Sequence, residues 1–261
     1  MVHFLNFMQG GAQMEERRGL DSFTLKLMMA ALMVLDHLYY FLPDMGFPIW
    51  FTMAGRVVAP TFCYLMTQSL YYTRDRSRYI RRLTFAGLAM LAGNILLMLL
   101  AASLRNGTII PLDNSIFLSL AVSAVVVDRL ERLKEGFHFR HVVLILVMLL
   151  TSLLLEGAFL LPVMAVIFYF LRNRKVLMSI AYLVGSTLSV YLLMGLSGSS
   201  TRYTFELFGY RLHTQYLQAF ALIPIFLYNK KPGPRTWFSK WFFYLFYPLH
   251  IWVLYLVSVV T

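Results

Sequence analysis

Long apolar runs, separated by short polar and mostly basic stretches, recur along the whole chain. They do not alternate with a period of two, so they read as helices and not as strands of a membrane barrel. Nine such runs are predicted as helices: Phe23–Leu42, Pro48–Thr73, Arg82–Ala102, Asn114–Val127, His141–Leu155, Gly157–Leu171, Val176–Leu193, Thr214–Tyr228 and Trp241–Val260. About 20 mostly apolar residues cross a bilayer, and backbone groups in lipid must be satisfied inside the segment. The fifth and sixth runs are short and meet at Glu156–Gly157. Together they span about 31 residues, too long for one untilted crossing, so a tight hairpin is expected there. The expected fold class is all-α, a polytopic transmembrane helical bundle of about nine membrane helices. Residues 1–22 read as a cytoplasmic or interfacial segment and 23–261 as a single transmembrane domain.

Composition agrees with this pattern. The 261 residues are 59% hydrophobic and 13% charged, about half the charge of an ordinary soluble domain. The net charge of +11 would suggest nucleic acid in a soluble protein, but its distribution points to topology. Nineteen basic residues fall in the stretches on one side of a nine-helix arrangement. Only Arg105, Arg202 and Arg211 fall on the other, and Arg56 lies within a run. The positive-inside rule then places the N-terminus in the cytoplasm and the C-terminus outside it. No nucleic-acid partner is expected; membrane lipid is. The single cysteine, Cys63, sits in an apolar run and reads as a small buried residue. The first nineteen residues lack the basic and apolar regions of a signal peptide. The longest outer stretch, Gly195–His213, is placed to cap an outer opening.

Ionisable side chains inside such runs are costly to insert and therefore mark candidate functional sites. Asp36 and His37 lie late in the first run. Lys26 is eleven residues before His37, about 16 Å of helical rise and nearly the same face. Adjacent helical residues diverge, so Asp36 needs a different neighbour. Arg56, about 12 Å into the second run, is the expected partner; binding a substrate anion or oxyanion is its other reading. Glu156 at the hairpin is either solvated or turned toward a cavity. His250 follows Tyr247 and Pro248 in the last run, where proline frees a carbonyl one turn earlier. Asn94 and Asn114 read as interhelical hydrogen-bonders.

Between the second and third runs, Arg74, Asp75, Arg76, Arg78, Arg81 and Arg82 form a dense basic stretch. It serves topology, or binds the phosphates of a cytosolic donor through guanidinium forks. Nucleotide loops, zinc spacings and serine-nucleophile elbows do not appear, and no metal is expected.

The run Leu20-Asp21-Ser22-Phe23-Thr24-Leu25-Lys26, with Met33-Val34-Leu35-Asp36-His37, resembles the opening of TraX proteins, the F-pilin acetylation proteins and their relatives. The likeness continues in Gly55-Arg56-Val57-Val58-Ala59-Pro60, Tyr72-Thr73-Arg74-Asp75 and Tyr79-Ile80-Arg81-Arg82, and returns from Lys240 to His250. Where that family tends toward Glu-Gly-Phe-x-His-Thr-Arg, this chain reads Gln68-Ser69-Leu70-Tyr71-Tyr72-Thr73-Arg74. The family is similar in turn to membrane acyltransferases of the acyltransferase-3 type. Those carry a basic residue, ten intervening residues and then an essential histidine, matched by Lys26 and His37, and an Arg-x-x-Arg pair, matched by Arg78 and Arg81.

The resemblance implies a bacterial, multi-pass acetyltransferase of the cytoplasmic membrane. It would move an acetyl group from cytosolic acetyl-CoA to an amine or hydroxyl at or beyond the outer side. Lys26, Arg74, Arg78 and Arg81 would hold the donor, and His37, Asp36, Arg56 and Glu156 would form the catalytic group, with Asn94, Tyr247 and His250 as further cavity residues. Direct transfer and an acetyl-histidine route both fit. The acceptor is open: a pilin-like peptide, another peptide, a glycan or a small molecule. Two other readings stand beside it, a proton-coupled transporter or permease and a non-catalytic membrane partner of a secreted substrate.

Overall fold

A computed structural model describes residues 19–104, 111–112, 115–197, 203–234 and 236–260. Residues 1–18, Arg105, Asn114, Arg202 and Arg235 lie outside the described residues, so the expectations for the N-terminal segment and for Asn114 fall outside them too.

The first helix, α1 (Ser22–Phe41), starts where the Asp21 side chain accepts the Thr24 amide at 2.8 Å. That is an N-cap bond satisfying one of the orphan donors of the first turn. Leu25, Met29, Met33, His37 and Phe41 are all buried. Their spacing of four puts them on one face, so His37 sits on the stripe that α1 turns to the core. The strand-like residues before α1 are tied down as well: the Leu20 amide donates to the Leu227 carbonyl at 2.7 Å, and the Asn229 amide to the Leu20 carbonyl at 2.9 Å.

The second expected run is two helices, not one: α2 (Trp50–Gly55) and α3 (Val58–Tyr72). Pro60 has no N–H for the Arg56 carbonyl, and proline is tolerated only within a first helical turn, so the helix restarts at Val58. Gly55 holds the other side of the break. A Cβ there would stand 2.4 Å from Asp36 Cβ, so only glycine lets α2 approach α1 this closely.

Helix α4 (Arg76–Leu104) is followed by the pair α5 (Ile116–Glu135) and α6 (Phe139–Ser152), then α7 (Leu160–Phe170) and α8 (Lys175–Ser197). The turn between α6 and α7 carries Gly157 at φ +77° and Ala158 at φ +43°, and a side chain at Gly157 would meet Leu161 at 2.3 Å. A β-hairpin follows, β1 (Thr204–Leu207) with β2 (Tyr210–His213), turning at Phe208 and Gly209, both with positive φ as two-residue hairpins prefer. It is an exception to the all-α expectation, in the stretch read as an outer cap. The eighth run is a 3-10 segment, Thr214–Ala221, continued by α9 (Leu222–Leu227). Last comes α10 (Trp237–Val260), which holds Pro248.

Four of the described helices are long and apolar enough to cross a membrane: Ser22–Phe41, Arg76–Ser103, Lys175–Leu192 and Trp237–Val260. With 11 residues, α7 is about 16 Å long, short of the ~30 Å hydrocarbon core. The outward faces of the long helices expose large apolar residues, among them Leu96 at 67% and Leu188 at 55%, a surface suited to lipid and not to water. The chain is a membrane protein.

Polar groups at the basic end tie the bundle together. Arg76 pairs with Glu131, which also accepts from the Tyr169 hydroxyl, joining α4, α5 and α7. Near the opposite end, Asn94 links α4 to α10 by accepting from the Trp252 indole N–H at 2.8 Å.

Candidate active site

Three elements deliver the polar side chains to one place: α1, the α2–α3 break and the α6–α7 turn, closed on the far side by α10. Arg56 sits at the break. Its Nη2 donates to both oxygens of Asp36, at 2.5 and 2.7 Å, and to Thr52 Oγ1 at 2.8 Å. Its Nε donates to the Thr52 carbonyl at 3.1 Å and its Nη1 to Gln215 Oε1 at 3.0 Å. The pairing expected of Asp36 is thus present. A guanidinium has five N–H groups, so one N–H on Nη1 stays without a partner among the described residues.

Gln215 in turn donates to Gln218 Oε1 at 3.1 Å, and Gln218 reaches the Ser186 carbonyl on α8 at 3.4 Å. The break is therefore held by a row of amides as well as by the ion pair.

Glu156 turns inward. Its Oε2 accepts the Ser115 amide at 3.1 Å and the Tyr247 hydroxyl at 3.2 Å. It lines two adjoining cavities, about 150 and 230 Å³, that share Asp36, Arg56 and Glu156. Gln215, Gln218 and Tyr247 line the first, and His37, Tyr40 and Tyr203 the second.

His37 faces α10. Its Nδ1 lies 2.8 Å from His250 Nε2, and His250 Nδ1 lies 2.8 Å from the Phe246 carbonyl. A carbonyl only accepts, so His250 Nδ1 carries the hydrogen, and in the neutral ring its Nε2 is then the acceptor for His37 Nδ1–H. This fixes both tautomers and leaves Nε2 as the basic nitrogen of His37. Tyr247 packs edge-on against both rings, with centroids 6.5 and 5.6 Å away.

Toward the basic end, a third cavity of about 350 Å³ is lined by Lys26, Arg82 and Lys240 together with apolar and aromatic side chains. Phe62 lines both this vestibule and the 150 Å³ cavity above it. Phe117 stacks on Tyr244 at 5.6 Å and meets Tyr247 at 5.3 Å. These four rings separate the cationic vestibule from the polar cavity. Arg78 and Arg81 are not in the vestibule; they line a groove between α4 and α10. Arg74 is exposed and lines none of these cavities.

Residues 22–258 match the family described as TraX protein. The chain belongs to the TraX family. No curated protein and no solved structure matches it. In this TraX-family chain, His37, Asp36, Arg56, Glu156, Tyr247 and His250 come together, while Asn94 stands apart as an interhelical link. Thr52, Gln215, Gln218 and Tyr203 were not singled out from the sequence. The spacing of three between Gln215 and Gln218 inside an apolar run was the available signal, since it puts two amides on one face. Among the described residues no cluster of three or more histidine, cysteine or acidic residues could hold a metal ion.

Proposed function

We propose that this protein is a membrane acyltransferase that moves an acetyl group from acetyl-CoA at the basic, cytoplasmic end to an amine or hydroxyl acceptor admitted from the other side. TraX proteins are associated with pilin acetylation, which supplies the reaction class. The observation that carries the reading is the orientation of His37. The Phe246 carbonyl and His250 hold it as the tautomer with a basic Nε2, beside a cavity containing a fixed guanidinium and a carboxylate.

Lys26, Arg82 and Lys240 would hold the phosphates of the donor, since three cations line one vestibule whose remaining walls are largely apolar. When bound, the donor supplies an activated acyl carbon. His37 Nε2 accepts the proton of the attacking amine or hydroxyl as the new bond to the acyl carbon forms, and gives it to the sulfur of coenzyme A as the C–S bond breaks and the free thiol leaves, a role for which an imidazole is suited near neutral pH. The remaining Arg56 N–H donates to the oxygen on which charge develops, and Asp36 and Thr52 keep the guanidinium from turning away. Glu156 orients the acceptor through its second oxygen. The rings of Phe62, Phe117, Tyr244 and Tyr247 stand between the two compartments and would have to turn aside for the acyl arm to pass. The proposed topology is the nine-crossing one, with α2–α3 and the segment Thr214–Leu227 each counted as one interrupted crossing and the short α7 as a crossing that is helical over only part of its depth.

The test is transfer of labelled acetyl from acetyl-CoA by purified protein in liposomes, with a mixture of peptide and glycan acceptors. Transfer that is lost in His37→Ala, with the variant still inserted, supports the reading. Wild-type rates in His37→Ala overturn it, as does solute flux that needs no acetyl-CoA.

A further inference from the structure

Helices α4 and α10 touch closely at one point. A Cβ on Gly93 would stand 2.2 Å from the Trp252 ring, and the Asn94–Trp252 hydrogen bond pins the same level. Toward the basic end they leave a groove between them of about 530 Å³. Its long walls are apolar, with Phe85, Ala89, Trp241, Leu245 and Leu249 among them, and its basic end carries Arg78, Arg81, Arg82 and Lys240. Phe85 is 75% exposed and Leu249 52%, so the groove opens sideways to the surroundings of the bundle, not into its interior.

Carboxylates neutralise little of the charge at its mouth, although Arg82 and Lys240 lie over the Tyr79 and Trp241 rings, at 5.9 and 5.3 Å. Arg78 pairs with Asp75 at 3.3 Å. Arg81, Arg82 and Lys240 have no carboxylate partner among the described residues. An apolar trough reached from the hydrocarbon, closed at the interface by several cations, fits one kind of occupant: an amphiphile with an anionic head and long chains. Basic pockets between membrane helices on the cytoplasmic side take such heads, and Trp241 lies at the level where indoles favour the interface.

We infer that the groove between α4 and α10 is a binding site for an anionic phospholipid of the leaflet facing the basic end. The phosphate sits on Arg78 and Arg81 and the chains lie along Phe85, Ala89, Leu245 and Leu249. Tyr244, Arg82 and Lys240 line both this groove and the Lys26 vestibule, so the lipid packs against their outer side. The inference does not depend on the transferase reading.

The test is native mass spectrometry of the full chain, released from mixed micelles of phosphatidylglycerol and phosphatidylcholine with matched chains. The expected result is retention of phosphatidylglycerol over phosphatidylcholine by about tenfold. Arg81→Gln should lower the phosphatidylglycerol adduct about fivefold, and Ala89→Trp should lower adducts of both lipids by filling the trough. Neither glycerol phosphate nor coenzyme A should displace it. Equal retention of the two lipids overturns the inference. So does an adduct unchanged by Arg81→Gln, or one displaced by coenzyme A, which would put the anion in the vestibule. Arg81 is exposed, so its variant keeps the test open if Ala89→Trp fails to fold. Because lipid retention is read without any transfer assay, its failure leaves the transferase reading standing.

Discussion

His250 presents an unprotonated Nε2 to His37 because its own Nδ1–H is spent on the Phe246 carbonyl, one helical turn back. Two side chains on helices at opposite ends of the sequence thus settle each other's hydrogen positions. Replacing His37 with alanine should lower acetyl transfer by about 10²–10⁴-fold, the range for a positioned acid–base group. Single-turnover transfer with membrane-inserted protein measures it.

His250 acts on the reacting groups only through His37 in this scheme and is a positioning residue. His250→Ala should lower kcat while KM for the donor stays within about twofold, and the pH profile of kcat should shift, because the His37 tautomer is no longer imposed. His250→Gln keeps an acceptor near His37 Nδ1 and should recover part of the rate. A uniform loss with an unmoved pH profile would show His250 to be structural only.

Breaking the Asp36–Arg56 pair on one side leaves a charge uncompensated. Both side chains are about a fifth exposed, so Asp36→Asn or Arg56→Gln alone should cost about 3 kcal/mol, the lower end for a broken buried pair. The double variant should be more stable than either single one. Thermal unfolding in detergent followed by circular dichroism tests the non-additivity.

Gly55→Ala asks for 2.4 Å between two Cβ atoms. Helices α1 and α2 must separate, at about 1–3 kcal/mol for overpacking, and the Asp36–Arg56 geometry goes with them. The expected outcome is lost transfer together with a lowered Tm, an effect that Gly136→Ala, where φ is 175° and the nearest atom to an added Cβ is His138 Nε2 at 3.9 Å, should not produce.

Lys26→Gln, Arg82→Gln and Lys240→Gln should each raise the KM for acetyl-CoA about tenfold with kcat nearly unchanged, and should flatten its salt dependence. Arg74→Gln, remote from the cavities, should leave KM alone. Initial rates across ionic strength decide between them.

Much of this arrangement was legible in the sequence. Each apolar run is helical over most of its length, because hydropathy is a cumulative signal over many residues. Charges buried in such runs stand out for the same reason, and Asp36, His37, Arg56, Glu156 and His250 do converge. The break at Arg56–Val57 was less visible: Pro60 was in view, but a proline in a first turn and one in a helix interior look alike until the start of the helix is known. Gln215 and Gln218 escaped notice because a neutral amide costs too little to seem out of place. The separation of Arg78 and Arg81 from Lys26 depends on how α4 is rotated about its axis, which spacing along one helix does not define. The hairpin at Thr204–His213 rests on Phe208 and Gly209 taking positive φ, a local choice easily lost in a polar stretch.

The two electrostatic contacts of the cavity differ in how far apart their members lie along the chain. Asp36 and Arg56 are 20 residues apart, His37 and His250 213. At roughly 5–20 residues per second, the aspartate gains its counter-ion within a few seconds of synthesis, while the imidazole waits roughly 10–40 s for its mate. A nascent chain is therefore neutralised early and made competent last. A ribosome that stalls before α10 releases a protein that has its ion pair but lacks the residue that orients His37.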